Sequence, residues 1–280
     1  MNEGSSASAP GKIILSGEYA VVFGKRGIAV PSQESVTVTW TKDTSLSEPI
    51  IVWEGGVHTK WIEYVGRIFG YLLPFTGPQK GTLLVQCDIP LGKGMGSSTS
   101  LVIAVCRALL GSGCGKIALG IEDEINPGHS GIDFAVIWEA APILYQRGKE
   151  PQIIDLPRDI LKHAKLVDSG KPNETTRELV AWMKNKYSAA GTPRPGSEEM
   201  IMNDAIHVIG SCTERLLKGE SLHAVMRDHH KAQLALGIVP DSALKIIEQI
   251  ESEGGSAKVI GAGGRTGGGG MVLCLPAQAQ

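Results

Sequence analysis

Residues 90–101 read PLGKGMGSSTSL, with alternate glycines, four consecutive hydroxyl residues and then an apolar segment. Gly92, Gly94 and Gly96 let the backbone approach a ligand closely, because no Cβ stands in the way. Ser97, Ser98, Thr99 and Ser100 supply hydroxyls and candidate helix caps. Leu101, Val102, Val105, Ala108 and Leu109 then recur at helical spacing, so the loop opens a helix. Bare amides, the positive end of a helix dipole and clustered hydroxyls make an anion site suited to the phosphates of a nucleotide. A flexible glycine loop before an ordinary helix uses the same residues, and the loop alone does not choose between the two.

Three further segments carry chemistry. Residues 9–25, APGKIILSGEYAVVFGK, place Lys12 at a strand start after a Pro-Gly turn, where a cation can meet a phosphate or an acidic substrate. Glu18 follows a second turn glycine; taken alone, both residues read as surface positions. Residues 122–133, EDEINPGHSGID, end on Asp133 at a turn-to-strand junction with apolar neighbours, a setting that partly desolvates a functional carboxylate. The plainer reading of Asp133 is a turn cap. Residues 261–270, GAGGRTGGGG, lie between two apolar strands and suit backbone packed against another loop or a phosphate.

His229 and His230 lack the spacing to other ligands that a metal site needs, so a helical core or polar face is the better reading. His129 lies beside the Asp133 turn as a candidate substrate contact. Trp53, Trp61, Trp138 and Trp182 read as packing residues, since no basic patch accompanies them. The chain has no G-x-x-x-x-G-K-[ST] loop and no HRD or DFG element, so neither a Walker loop nor the protein-kinase machinery is the route.

The elements that must position these groups follow from periodicity. Strands are expected at 13–15, 28–30, 36–41, 83–87, 134–138, 153–156 and 165–168, with helices at 59–73 and 99–110. Long helical patterns at 174–187, 197–218, 221–236 and 241–253 follow, and strands at 257–260 and 271–275 close the pattern. Pro157 and a charged stretch mark a boundary near 157–164, giving two α+β lobes, 1–160 and 161–280, with a cleft between them. The 280 residues carry a net charge of −2, without the basic footprint of a nucleic-acid binder. No apolar run spans a membrane and no signal segment opens the chain. The 5 cysteines are scattered without CxxC spacing, which points to thiols of a reducing, cytoplasmic compartment.

Together the segments resemble the GHMP-superfamily kinases, and among those the chain is most similar to the mevalonate kinases. PGKIILSGEYAVVFGK resembles that family's first motif, PLGKGMGSSTS its phosphate loop, HSGIDFAV its catalytic-Asp segment and GAGGRTGGGG its third motif. Residues 167–180 and 229–239 are similar to segments usual in mevalonate kinases, in the same order. The resemblance covers most of residues 8–275. It implies a two-lobed GHMP fold, with an N-terminal lobe like ribosomal protein S5 domain 2 and a ferredoxin-like C-terminal lobe. It also implies transfer of the γ-phosphate of ATP to the 5-hydroxyl of mevalonate, in isoprenoid precursor synthesis, with a homodimer as the oligomeric expectation.

The same resemblance implies roles. Asp133 would be the base or electrostatic partner of the attacking hydroxyl, and Lys12 would pair with it, lowering the pKa of both. Pro90, Gly92, Lys93, Gly94, Met95, Gly96, Ser97, Ser98 and Thr99 would bind ATP. Ser98, with Ser97 beside it, and Glu122 would hold Mg²⁺. Glu18, Tyr19, Thr176 and Gly263 would lie at the substrate end. The chain departs from the pattern in several places. Tyr19 stands where mevalonate kinases usually have His, a form more typical of phosphomevalonate kinases. The interval from Ser97 to Asp133 is shorter than usual, as if a helix were missing. Residues Arg265 and Thr266 are additions to the third motif. Phosphomevalonate kinase, with Lys25, Arg26 or Lys171 holding a second phosphate, and a nucleotide-binding sensor are the alternatives.

Overall fold

Two long antiparallel strands form the spine of the first half. In the computed structural model, which describes residues 4–56, 58–157, 159–187 and 194–277, β1 (Gly4–Ser16) pairs with β2 (Arg26–Lys42) along nearly its whole length. The other edge of β2 is shared. Residues 36–42 pair with β4 (Gly81–Cys87) and residues 26–29 with β5 (Ile143–Gln146), both antiparallel. β3 (Ile50–Trp53) adds to β4 in parallel, and the two-residue β6 (Gln152–Ile153) closes the far side. The serine-rich start of β1 has little strand propensity of its own; pairing with the apolar β2 draws it in.

Four helices cover this sheet: α1 (Thr59–Thr76), α2 (Ser97–Leu110), α3 (Gly115–Ile125) and α4 (Ile132–Glu139). Ten of the residues of α2 are buried, because it lies between the sheet and the other three helices. The segment 134–138, expected as a strand, belongs to α4. An unbroken apolar run is compatible with either state, and Gly131, at φ 92°, starts the helix here. Burial against β1, β2 and α2 then satisfies every face. The expected strand at 153–156 shrinks to β6. β3, β5 and α3 were not legible, the last because glycines and carboxylates obscure its apolar stripe.

In the second half, β7 (Lys165–Asp168), β9 (Met271–Leu275) and β8 (Ser256–Val259) form an antiparallel three-stranded sheet in the order β7-β9-β8. The helices α5 (Thr176–Lys186), α6 (Glu198–Leu217), α7 (Leu222–Ala235) and α8 (Asp241–Ser252) lie close to their expected positions. Local signals place three of them: Thr175, Ser197 and Ser221 cap α5, α6 and α7 with their hydroxyls. The main core runs through both halves, joining Leu15, Ile28 and Ile103 to Cys212, Val225 and Leu273. All five cysteines are free, and no helix among the described residues is long and apolar enough to cross a membrane.

Candidate active site

A bulge turns Lys12 inward. The β1–β2 register shifts between Pro10 and Lys12, where Pro10 has no amide to offer the ladder and Gly11 fits against Ser32 and the Met95 carbonyl. The Lys12 amide instead donates to Met95 O at 2.9 Å. Its side chain passes beneath Gly96, whose absent Cβ would lie 3.0 Å from Lys12 Cγ. The ammonium, on a side chain only 2% exposed, ends 3.1 Å from Asp133 Oδ1. Asp133 sits in the first turn of α4, where a carboxylate is favoured by the helix dipole, and remains 32% exposed. A buried cation thus meets a carboxylate that a ligand can still reach.

The phosphate loop lies over this pair. Gly92, Gly94 and Gly96 all have positive φ, at 70°, 85° and 79°, and Gly96 is the N-cap of α2 with no side-chain cap. The first-turn amides of α2 are therefore open to an anion. The Gly92 amide donates to Ser97 Oγ at 3.3 Å, folding the loop back on the helix start. Pro90 stands half-buried at the loop's entrance.

Glu122 projects from α3 onto that first turn. Its Oε1 accepts a hydrogen bond from Thr99 Oγ1 at 2.7 Å, so Thr99, rather than Ser98, is its direct partner. Its Oε2 is buried and finds no hydrogen-bond partner among the described residues. Burial raises its carboxyl above the usual range, Thr99 opposing and the Asp133 charge adding to it. An orphaned carboxylate oxygen beside uncapped amides suits a hard divalent cation that completes its shell with phosphate and water oxygens. No cluster of three or more His, Cys, Asp or Glu side chains among the described residues forms a ready-made metal site, as such a shared shell requires. The Ser98 carbonyl faces the Tyr64 hydroxyl at 3.5 Å, and that hydroxyl accepts from Asn126 at 2.9 Å. His129 pairs with Asp123 at 2.7 Å.

The 261–270 glycines pack against the phosphate loop and against residues 168–171. A Cβ at Gly94 would meet Ile260 O at 2.8 Å, and one at Gly270 would meet Lys93 O at the same distance. The Met271 amide donates to Lys93 O at 3.1 Å, and the Lys93 ammonium pairs with Asp168 at the end of β7. Arg265 and Thr266 clamp Glu174: both amides and the Thr266 hydroxyl donate to its carboxylate, while the Arg265 guanidinium stacks 4.2 Å over Trp182. Gly263, expected at the substrate end, is packed against Ile238 O. Thr176 is the exposed first residue of α5.

Glu18, also expected at the substrate end, is only 2% exposed. It pairs with Lys258 of β8 and lies 2.9 Å from His229 Nε2 of α7, a geometry short of a full hydrogen bond. Tyr19, at φ 61°, is buried as well and donates its hydroxyl to Ala262 O at 2.6 Å. Burial, with Glu18 and Glu174 nearby, pushes its phenol well above the usual range. Sequence reasoning missed Lys258 and Asp168; the signal for Lys258 was a lysine inside an otherwise apolar strand.

These buried groups make folding acid-sensitive. Burial alone would raise the Glu18 carboxyl, but Lys258 and His229 outweigh it and hold it at about 2. Burial lowers the imidazoles of His229 and His230, the latter to about 4. Each group binds its proton more weakly in the folded chain than in the unfolded one. Stability therefore falls as pH drops from 6.5 toward 4 through His230, and the Glu18 contribution is lost between 4.5 and 2. His230 alone accounts for on the order of 3 kcal/mol by pH 4. Urea midpoints measured from pH 7 to 4 should fall accordingly, and His230→Gln should flatten that decline.

Residues 63–136, which contain the phosphate loop, Glu122 and Asp133, match the GHMP kinases N terminal domain. The same chain is similar over nearly its whole length to named kinases of that family. Mevalonate kinase from Thermococcus sibiricus is 26% identical, covering 98% of this chain and 90% of the relative. The chain belongs to the GHMP kinase family. The Archaeoglobus fulgidus mevalonate kinase is 27% identical, with 92% and 89% covered. Among solved structures, the Methanococcus jannaschii mevalonate kinase shares the fold at a TM-score of 0.77 and 19% identity, with 99% of this chain and 91% of that chain covered. GHMP kinases use ATP. A cavity of about 710 Å³ against β1 and the end of α2, lined by Ser5, Ser8 and Arg107 among others, contains none of the residues described above.

Proposed function

We propose that this GHMP kinase transfers the γ-phosphate of ATP to the 5-hydroxyl of mevalonate. The observation that carries the reading is the Lys12–Asp133 pair, 3.1 Å apart, lying beneath the uncapped N-terminus of α2. Phosphoryl transfer needs positioning and charge stabilisation more than covalent chemistry, and this arrangement offers both. The amides and glycines of 90–99 cradle the phosphates. Asp133 accepts the proton of the acceptor hydroxyl as its oxygen bonds to the γ-phosphorus and the bond to the ADP oxygen breaks. Lys12 holds Asp133 in place and offsets charge on the transferring group. Ser98, with Ser97 beside it, and Glu122 would hold Mg²⁺, which supplies charge neutralisation on the β- and γ-phosphates. The chain divides for this work into lobes 1–160 and 161–280, the second bracing the phosphate loop through its glycines.

The choice of mevalonate rests on the near-full-length mevalonate kinase relatives and on the cations available. A second phosphate on the acceptor calls for several free cations. Arg26 is engaged by Glu214, and the stem of Lys25 packs over Gly210 of α6. Lys171, with its Cε 3.7 Å from the position of a Cβ on Gly92, is left alone of the three beside the loop. ATP consumption with Mg²⁺ is expected with mevalonate and not with 5-phosphomevalonate. Turnover of 5-phosphomevalonate alone would reverse the assignment, and silence with both, alongside ATP binding, would favour a sensor.

A further inference from the structure

Three ionisable side chains from distant parts of the chain meet in the interior: Glu18 just after β1, His229 on α7 and Lys258 on β8. None is more than 2% exposed. Lys258 donates to the Glu18 carboxylate and to Val259 O at 3.3 Å. The Gln233 amide of α7 fixes that same carbonyl at 2.9 Å. The Cys212 thiol of α6 is the remaining polar neighbour, and burial pushes it up to about 11, so it carries no charge. A second cation stands close by. Burial lowers the Lys258 ammonium, Glu18 opposes this, and the Lys12 charge adds to the lowering. Lys12 is therefore within electrostatic range of the cluster while its own partner is Asp133.

This crowding has a consequence for the reacting pair. In a buried region of low dielectric, a carboxylate without its counter-ion acts strongly on the next cation. Glu18 is such a carboxylate, and Lys12 is that cation. We propose that Lys258 is a positioning residue: by saturating Glu18 it leaves Asp133 as the only counter-ion of the Lys12 ammonium. Glu18 then serves the reaction from inside the protein, without touching substrate. The inference rests on the reading of Lys12 and Asp133 as the reacting pair.

A charge-deletion series tests it. Lys258→Met, which leaves Glu18 uncompensated, should lower kcat by about 100-fold with the ATP KM within about threefold. Glu18→Gln combined with Lys258→Met removes the competition and should recover kcat to within about fivefold of wild type. A role in folding alone would move melting temperature without this reversal of kcat. Crystal structures of both variants without substrate give a readout that needs no acceptor. Lys12 should leave Asp133 in the single variant and return to it in the double. If wild type turns over neither acceptor, the substrate reading fails and these two structures still decide the positioning role. If Lys258→Met does not fold, the double variant decides. A folded double variant with kcat down more than about 100-fold overturns the proposal. So does a folded Lys258→Met protein whose kcat and Lys12 position match wild type.

Discussion

Asp133→Asn is expected to lower kcat by about 10³-fold while leaving ATP affinity within about threefold. The amide keeps the shape of the carboxylate and can still face Lys12, so the first turn of α4 should fold unchanged. It loses the ability to take the proton of the acceptor hydroxyl and the negative charge that fixes the buried Lys12 ammonium. Both losses act where charge moves in the transition state, whereas ATP is held mainly by the loop amides and the α2 N-terminus. Steady-state kinetics with mevalonate, paired with calorimetric ATP titration, separates the two. An Asn variant with wild-type turnover would remove Asp133 from the chemistry. A protein that binds ATP equally with either residue and never transfers phosphate would be a sensor.

The second large effect is expected at Gly94, which shows why the phosphate loop is glycine-rich. Its φ of 85° disfavours any side chain, and an added Cβ would lie 2.8 Å from Ile260 O, a backbone atom that cannot step aside cheaply. The left-handed conformation alone costs about 1–2 kcal/mol, and the clash adds to it by forcing the loop off the 260–261 backbone. Gly94→Ala should therefore raise the ATP KM by about tenfold or more and lower the melting temperature by several degrees. Gly92→Ala is the internal comparison. Its φ is 70°, but the nearest atom to its Cβ would be Lys171 Cε at 3.7 Å, the movable end of a long side chain. Only the conformational cost remains, so the KM change should be smaller. Equal effects at the two positions would mean that contact with the 260–261 backbone does not hold the loop in shape.

Much of this protein was legible from residue order alone. The phosphate loop and the helix it opens follow from glycine spacing, hydroxyls and an apolar stripe, all features of a dozen consecutive residues. The strand expectations at 165–168 and 271–275 match β7 and β9 residue for residue, and α5 to α7 start at hydroxyl caps. Lys12, Glu122 and Asp133 were all named. What was not legible is how these residues are held. Asp133 was placed before a strand, although it begins α4, since an all-apolar run has no period by which to choose and only burial on every side decides. Glu122 meets Thr99 instead of Ser98 because the facing of α3 on α2 sets which hydroxyl points at it. Glu18 reads as a turn residue beside the substrate, yet it pairs with a lysine 240 positions away. Local pattern reports the preferences of neighbouring residues. Partners such as Lys258 for Glu18 and Asp168 for Lys93 depend on which faces the packed core turns inward, and that is decided only when both halves of the chain close on one another.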